Sequence, residues 1–352
     1  MVHLFPDVLK ILFLGETYRA DAQTWIKGIQ QASGVTIQTK EIPKTAGRIS
    51  RMLAAIRFLI GLIFSSEKYD ITLAERATSY GFFSLLVATK VRIVAQQGIT
   101  DAYPEDGFAG FYKKMLQRAT YTNADLIHAW GYVMTYAMLS SGAPPAKIIV
   151  KPKGLDLDKF RFFAPSSQRK FTAIVTRSLY PIYRHSEILE AISLLKKKGI
   201  RLECIMVGTG SEEEHLHLKT RELDLEDQII WTGRIANSEL PMYLSKAQIY
   251  IAVPETEGVS ASLFEAMACG CFPIVTDLPA NRAFIDQGKN GILVPIGKPE
   301  LLSNAIKDYL SSAEMYVSGI IQNRKFIDEN CDLKANMSSF YLTYLSLLKQ
   351  RS

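Results

Sequence analysis

The chain has 352 residues, 48% of them hydrophobic and 22% charged, with a formal net charge of +6. That length exceeds the usual limit of a single hydrophobic core, so two domains are expected; the composition is that of a soluble globular protein. Through Phe160 there are 19 Lys and Arg against 13 Asp and Glu, and beyond it 22 against 22, so the whole excess lies in the N-terminal half. Such a half suits an anionic partner, a membrane surface or a phosphorylated molecule, while solubility alone accounts equally well for an excess of this size.

Met1 to Asp7 lacks the basic region of a secretory leader, and Leu9 to Leu14 is a run of strand length, so no leader is expected. From there apolar runs alternate with helical patterns, the mark of doubly wound α/β domains. In the first half the runs predict strands at Lys10 to Leu14, Val35 to Thr39, Ile71 to Ala74, Arg92 to Ala95, Leu126 to Ala129 and Ile148 to Val150. Gly15 supplies a small residue at the end of the first strand. A nicotinamide dehydrogenase would need Gly-x-Gly-x-x-Gly there, and Gly15-Glu-Thr-Tyr-Arg-Ala20 does not supply it.

Arg48 to Phe64 is a basic and strongly apolar helix whose uninterrupted apolar part, Phe58 to Phe64, is too short for a bilayer, which requires about 20 residues. It either rests on a cytoplasmic leaflet with Arg48, Arg51 and Arg57 toward lipid phosphates, or is an ordinary buried helix of the first domain. Asp101, after Ala95-Gln-Gln-Gly-Ile-Thr, either orients a hydroxyl or caps the following loop. His128, alone in its strand, reads as a satisfied core group. The polar, proline-containing stretch Phe162 to Arg169 marks the joint, giving domains at residues 1–163 and 164–328 with a terminal segment at 329–352.

The second half predicts strands at Thr172 to Thr176, Arg201 to Val207, Ile229 to Trp231, Ile249 to Val253, Pro273 to Val275 and Ile292 to Val294. Arg177 follows the first of them, and Arg184 stands before a helix at Ser186 to Lys198. Arg184 is either a phosphate ligand or a solvated charge. Val207-Gly-Thr-Gly-Ser211, with Gly208 and Gly210, is a tight turn or a phosphate loop, and Gly233-Arg-Ile235 ends another strand. After Ile249 to Val253, small residues lead into a helix at Ser260 to Ala268, leaving free N–H groups where an anion or a sugar oxygen can sit. Glu257 and Glu265, with seven residues between them, can reach one side of that cleft, and carboxylates are acceptors suited to sugar hydroxyls. The cysteines, Cys204, Cys269, Cys271 and Cys331, lack zinc-type spacing with histidine and read as reduced thiols.

The stretch Glu257 to Gly270, with Phe272-Pro-Ile-Val-Thr276, Asn281, Gly291-Ile-Leu-Val-Pro295 and Pro299-Glu300, resembles the donor-binding half of family-4 retaining glycosyltransferases, whose motif is glutamate, seven residues, glutamate, then Ala-Met-Ala-x-Gly. Lys153-Gly-Leu-Asp-Leu-Asp-Lys-Phe160 is similar to their interdomain turn Asn-Gly-Val-Asp-x-x-x-Phe. The resemblance implies the GT-B fold, two Rossmann-like doubly wound domains facing across a cleft, with a terminal helix packed back toward the N-terminal domain. The apolar stripe Phe340, Tyr344, Leu347 and Leu348 suits such a helix.

The same resemblance implies a transferase that moves a sugar from a nucleotide-diphosphate donor to a glycan, lipid-linked or polysaccharide-precursor acceptor, with retention and with neither metal nor cofactor. Arg177 and Arg184 would clamp the diphosphate, Glu265 the ribose hydroxyls, and Glu257 with Gly258, Val259, Ser260 and Ala261 the transferred sugar. Gly15, Gly208 and Gly210 would border the donor, Arg234 and Ile235 its base, and Asp101 an acceptor hydroxyl. Gly98 and Asp101 match the family's Gly-Ser-Asp stretch, while Gln97 stands where some members have histidine. A cytoplasmic place, peripheral at the inner face of a membrane through residues 48–64, is expected, and no nucleic-acid partner. The rival readings are a sugar-nucleotide-binding protein without catalysis and a GT-B nucleotide-sugar epimerase.

Overall fold

A computed structural model of the chain describes residues 9–96, 107–164 and 171–351. The chain divides into two compact units, Met1–Gly154 with Leu333–Ser352, and Leu155–Asp332. Each has its own parallel sheet. The expected joints at 163/164 and 328/329 differ from the observed ones because Leu155 and Phe160 pack into the core of the second unit, whose Arg324 Nη1 donates to the Phe160 carbonyl at 2.9 Å.

The first sheet holds β1 (Ile11–Leu14), β2 (Ile37–Lys40), β3 (Lys68–Glu75), β4 (Ala88–Gln96), β5 (Leu126–Ala129) and β6 (Ile148–Val150). Their order is β2-β1-β3-β4-β5-β6, with Ile11 of β1 in register with Ile37 on one side and Ile71 on the other. β1 is buried along its length because a parallel strand is covered on both faces. Helix α1 (Ala20–Ser33) buries Ala22, Trp25, Ile26 and Ile29 on one side, the spacing of a half-buried helix, and ends where Gly34 takes a left-handed φ of 72° and its N–H closes on the Gln30 carbonyl at 2.8 Å. Helix α2 (Arg48–Ile63) follows β2.

The last helix, Leu333–Gln350, completes this unit, with Met337, Phe340, Tyr344 and Leu348 buried. It packs on α1, where a Cβ on Gly28 would come within 2.4 Å of the Met337 side chain. The Tyr344 hydroxyl shares a 2.6 Å hydrogen bond with His128 Nε2 and accepts from Trp25 Nε1 at 3.3 Å. His128 lies parallel to Trp130 at 4.9 Å, and burial drives it down to about 3, so it is a neutral core group.

The second sheet holds β7 (Thr172–Val175), β8 (Glu203–Val207), β9 (Ile229–Gly233), β10 (Ile249–Ala252), β11 (Phe272–Thr276) and β12 (Ile292–Val294), in the order β12-β11-β10-β7-β8-β9. Counted within the unit this is 3-2-1-4-5-6, the dinucleotide-binding order, and the winding reverses between β7 and β10. The four cysteines are buried and unbridged; the chain turns at Gly270, φ 86°, between Cys269 and Cys271. Among the described residues no helix is long and apolar enough to cross a membrane.

Candidate functional site

Doubly wound sheets bind ligands beyond the carboxyl ends of their strands, where the winding reverses, because two loops part there and leave a crevice. In the second unit that place lies after β7 and β10. The chain leaving β7 carries Arg177, and the chain leaving β10 carries Glu257. These side chains form an ion pair, exposed by only 16% and 12%, and the Arg177 guanidinium also lies 5.0 Å from the centre of the Tyr183 ring. The other oxygen of Glu257 accepts from the Gly258 N–H at 3.2 Å.

The loop ends at Ser260, whose extended backbone and hydroxyl cap helix Ala261–Ala268 by accepting from the Leu263 N–H at 3.3 Å. Ser262 is held in turn by Tyr250 of β10 at 2.9 Å. Val259 and Ile235 both lean on the core beneath this loop, while Arg234 is exposed. Glu265 sits one turn further along the helix. Burial raises its carboxyl to about 7, against the opposing charges of Arg177 and Lys159. Arg177 thus acts electrostatically on both glutamates, and the three groups read from the sequence form one cluster.

Arg184 is placed differently. It takes a left-handed φ of 52° ahead of helix His185–Lys197 and pairs with Glu187 and, at 2.7 Å, with Glu255. Its charge is balanced by two carboxylates in the wall of a separate cavity of about 390 Å³, which Glu190 and Glu212 also line. His185, beside it, was not singled out by the sequence reading, yet it is buried and stands close enough to feel the Arg177 charge. Burial pushes it down to about 4; a backbone contact with Arg177 works against that shift, and the Arg177 charge adds to it. Only its position at a helix start after Arg177 could have drawn attention to it.

Gly208 and Gly210 do a backbone task. A Cβ on Gly208 would lie 2.7 Å from the Arg177 carbonyl and one on Gly210 2.2 Å from that of Leu179, so the loop after β8 packs directly on the chain that carries Arg177. Leu179 N–H bonds the Thr209 carbonyl at 3.0 Å across this contact. Asn281 donates to the Thr276 carbonyl at 2.8 Å and so fixes the end of β11. Asp156-Leu-Asp158 forms a turn in which Asp156 Oδ1 accepts the Asp158 N–H at 3.2 Å. Among the described residues no group of three or more His, Cys, Asp or Glu side chains is placed to hold a metal ion.

In the first unit the reversal lies between β1 and β3, where Gly15 lets the chain pass: a Cβ there would come within 2.6 Å of the Phe13 ring and 2.7 Å of the Glu75 carboxylate. Glu16 pairs with Arg76, and its N–H donates to Glu75 at 3.3 Å. Behind them Lys153 donates to the Asp21 carbonyl at 2.9 Å and lies over the Trp130 ring. Burial pushes Glu75 up and Lys153 down, each partly restrained by the other's charge. Lys153 occupies the place of the asparagine in the resembling turn. Asp101 and Gly98 lie outside the described residues.

Residues 156–326 match the family described as Glycosyl transferases group 1. The chain is 24% identical over 263 residues to the UDP-N-acetylglucosamine–peptide N-acetylglucosaminyltransferase GtfA subunit of Streptococcus parasanguinis, covering 72% of this chain and 51% of that protein. It is 26% identical over 193 residues to the amylovoran biosynthesis glycosyltransferase AmsK of Erwinia amylovora, covering 53% and 47%. The chain therefore spans about half the length of these curated relatives. Among solved structures, Anabaena Alr3699/HepE in complex with UDP-glucose superposes with a TM-score of 0.73 at 15% identity, over 96% of this chain and 99% of that one, which shows a shared fold. Two six-stranded parallel sheets give the chain the GT-B fold, and the stretch that matches the glycosyl transferases group 1 family fills nearly the whole second unit.

Proposed function

We propose that this protein is a retaining, metal-independent glycosyltransferase that moves a sugar from a nucleotide-diphosphate donor to a glycan, lipid-linked or polysaccharide-precursor acceptor, working peripherally at the inner face of a membrane. The observation that carries the reading is the placement of Arg177 beside Glu257 and Glu265 at the point where the second sheet reverses its winding. The HepE structure holds UDP-glucose and AmsK is named for amylovoran biosynthesis, which supports a nucleotide-sugar donor and a biosynthetic acceptor.

On donor binding Arg177 exchanges Glu257 for the diphosphate, since its guanidinium matches phosphate oxygens in pairs. Glu257 is then free to accept hydroxyls of the transferred sugar, together with the N–H groups from Gly258 to Ala261, and Glu265 accepts those of the ribose. The bond from the anomeric carbon to the phosphate oxygen breaks, and its electron pair leaves on the phosphate. The acceptor oxygen bonds to the same face of that carbon and gives its proton to the departing phosphate. Arg177 and the helix N-terminus stabilise the growing charge with donors already in place. Gly208 and Gly210 hold the Arg177 chain close, while Arg184 stays paired with Glu187 and Glu255 in the separate cavity.

A hydrogen bond to a charged group contributes about 1.5 to 3 kcal/mol, so Arg177→Ala lowers kcat/KM for nucleotide release by about one to two powers of ten. A panel of UDP-, GDP- and ADP-sugars screened by thermal shift identifies the donor, because a ligand at about 100 times its Kd adds about 2.7 kcal/mol. A folded Arg177→Ala protein with full transfer rates overturns the site. Donor binding without nucleotide release in the presence of cell extract favours the non-catalytic reading.

A further inference from the structure

Of the 16 residues of α2 only Leu62 is buried. Leu62 and Phe58 anchor the helix on a cluster that includes Leu12, Leu14, Tyr69 and Tyr80. On the opposite side Ile49, Leu53, Ile56, Ile60 and Ile63, followed by Phe64, are exposed, from 45% at Ile56 to 82% at Phe64. Steps of four and three keep these side chains on one face, so they form an unbroken apolar stripe about 24 Å long. A water-facing helix normally turns its polar side outward; here the polarity is reversed.

The flanks say what covers the stripe. At about 100° per residue, Arg48 and Arg57 fall on either side of it, roughly a quarter turn from its centre. No acidic residue occurs from Arg48 to Phe64. Among the described residues no carboxylate pairs with Arg48, Arg51 or Arg57, and Arg51 donates only to the Gly47 carbonyl, at 3.1 Å. A second copy laid against this face would set arginine against arginine, whereas a bilayer offers hydrocarbon along the middle and phosphate along both edges. The helix also lines a cavity of about 930 Å³ with Lys40 and Pro43, so one flank is open rather than packed by protein.

We propose that α2 docks the protein on an anionic phospholipid bilayer, lying in the plane of the interface with its isoleucines at the acyl boundary and Arg48 and Arg57 on lipid phosphates. The inference rests on the stripe and its charges and stands independently of the donor site. Co-sedimentation of the full chain with phosphatidylcholine vesicles, with and without phosphatidylglycerol, tests it. The wild-type protein pellets with the anionic vesicles and is released by raised salt. Ile56→Glu with Ile60→Glu abolishes pelleting, and Arg48→Glu with Arg57→Glu lowers it at least about tenfold and removes the lipid preference. Because these side chains are exposed, all variants keep the wild-type melting profile and donor-induced thermal shift. Failure of wild-type pelleting, or equal pelleting of the variants, overturns the proposal, as does a wild-type dimer in sedimentation velocity that Ile56→Glu with Ile60→Glu splits.

Discussion

Glu265 is held at a cost that depends on pH. In the folded chain burial raises its carboxyl from the ordinary 4.5 to about 7, so between those values the folded state binds a proton that the unfolded chain has released. Stability from this group is therefore fully present below about pH 4.5 and is lost as pH rises through about 7. Glu265→Gln, which keeps the shape without the charge, should raise the melting temperature of the donor-free protein above pH 7 and leave it nearly unchanged near pH 4. The difference corresponds to on the order of 2 kcal/mol after allowing for partial exposure, and paired calorimetric scans at the two pH values measure it. An equal effect at both would remove burial as the cause.

The glutamates themselves were visible in the chain because their spacing and flanking strand and helix are local. Their nearness to Arg177 was legible only through the family resemblance and not from spacing, since Arg177 lies 80 residues before Glu257 and the sheet order brings them together. Spacing likewise does not show Glu75, Asp21 and Lys153 together; they come from β3, α1 and the chain after β6 and interact where the first unit's own winding reverses.

At the scale of elements, the twelve strands follow from apolar runs, and three of them, β5, β6 and β12, have the bounds that the runs predict. Others gain or lose a few residues: β3 and β4 extend back to Lys68 and Ala88 because parallel pairing along their whole length continues past the apolar residues. Helix α2 shows what composition alone leaves open. A run of apolar residues with arginines reads equally as a buried helix or a surface one, and only the placement of Phe58 and Leu62 on the anchored side settles which face is outward. The helix after β10 is a firmer case, since its cap is a single side chain. Ser260→Ala removes the acceptor for the Leu263 N–H and should cost about 1 kcal/mol, read as a lower denaturant midpoint with an unchanged m-value. It should also weaken donor affinity, since the capped turn is the one proposed to meet the sugar and phosphate. Affinity unchanged in a destabilised variant would separate the cap from the site.

For the whole molecule, the first unit is discontinuous, its strands before residue 155 and its closing helix after residue 332. Trp25, His128 and Tyr344 join helix α1, strand β5 and the closing helix through two hydrogen bonds in a buried core. Truncation after Asp332 should therefore strip hydrogen-exchange protection from α1 and β5 while β7 and β10 of the second unit keep theirs. Equal loss in both units would mean that the division does not describe how the chain unfolds.

The second unit begins and finishes at one spot: Leu155 N–H bonds the Cys331 carbonyl at 2.7 Å, and Leu155 bridges to Asp332. A segment whose two ends already touch can be exchanged for a homologous one without altering the gap its host must close. Cutting after Gly154 and before Leu333 therefore defines a transplantable cassette, and chimaeras made there test whether the proposed donor site travels with the incoming piece.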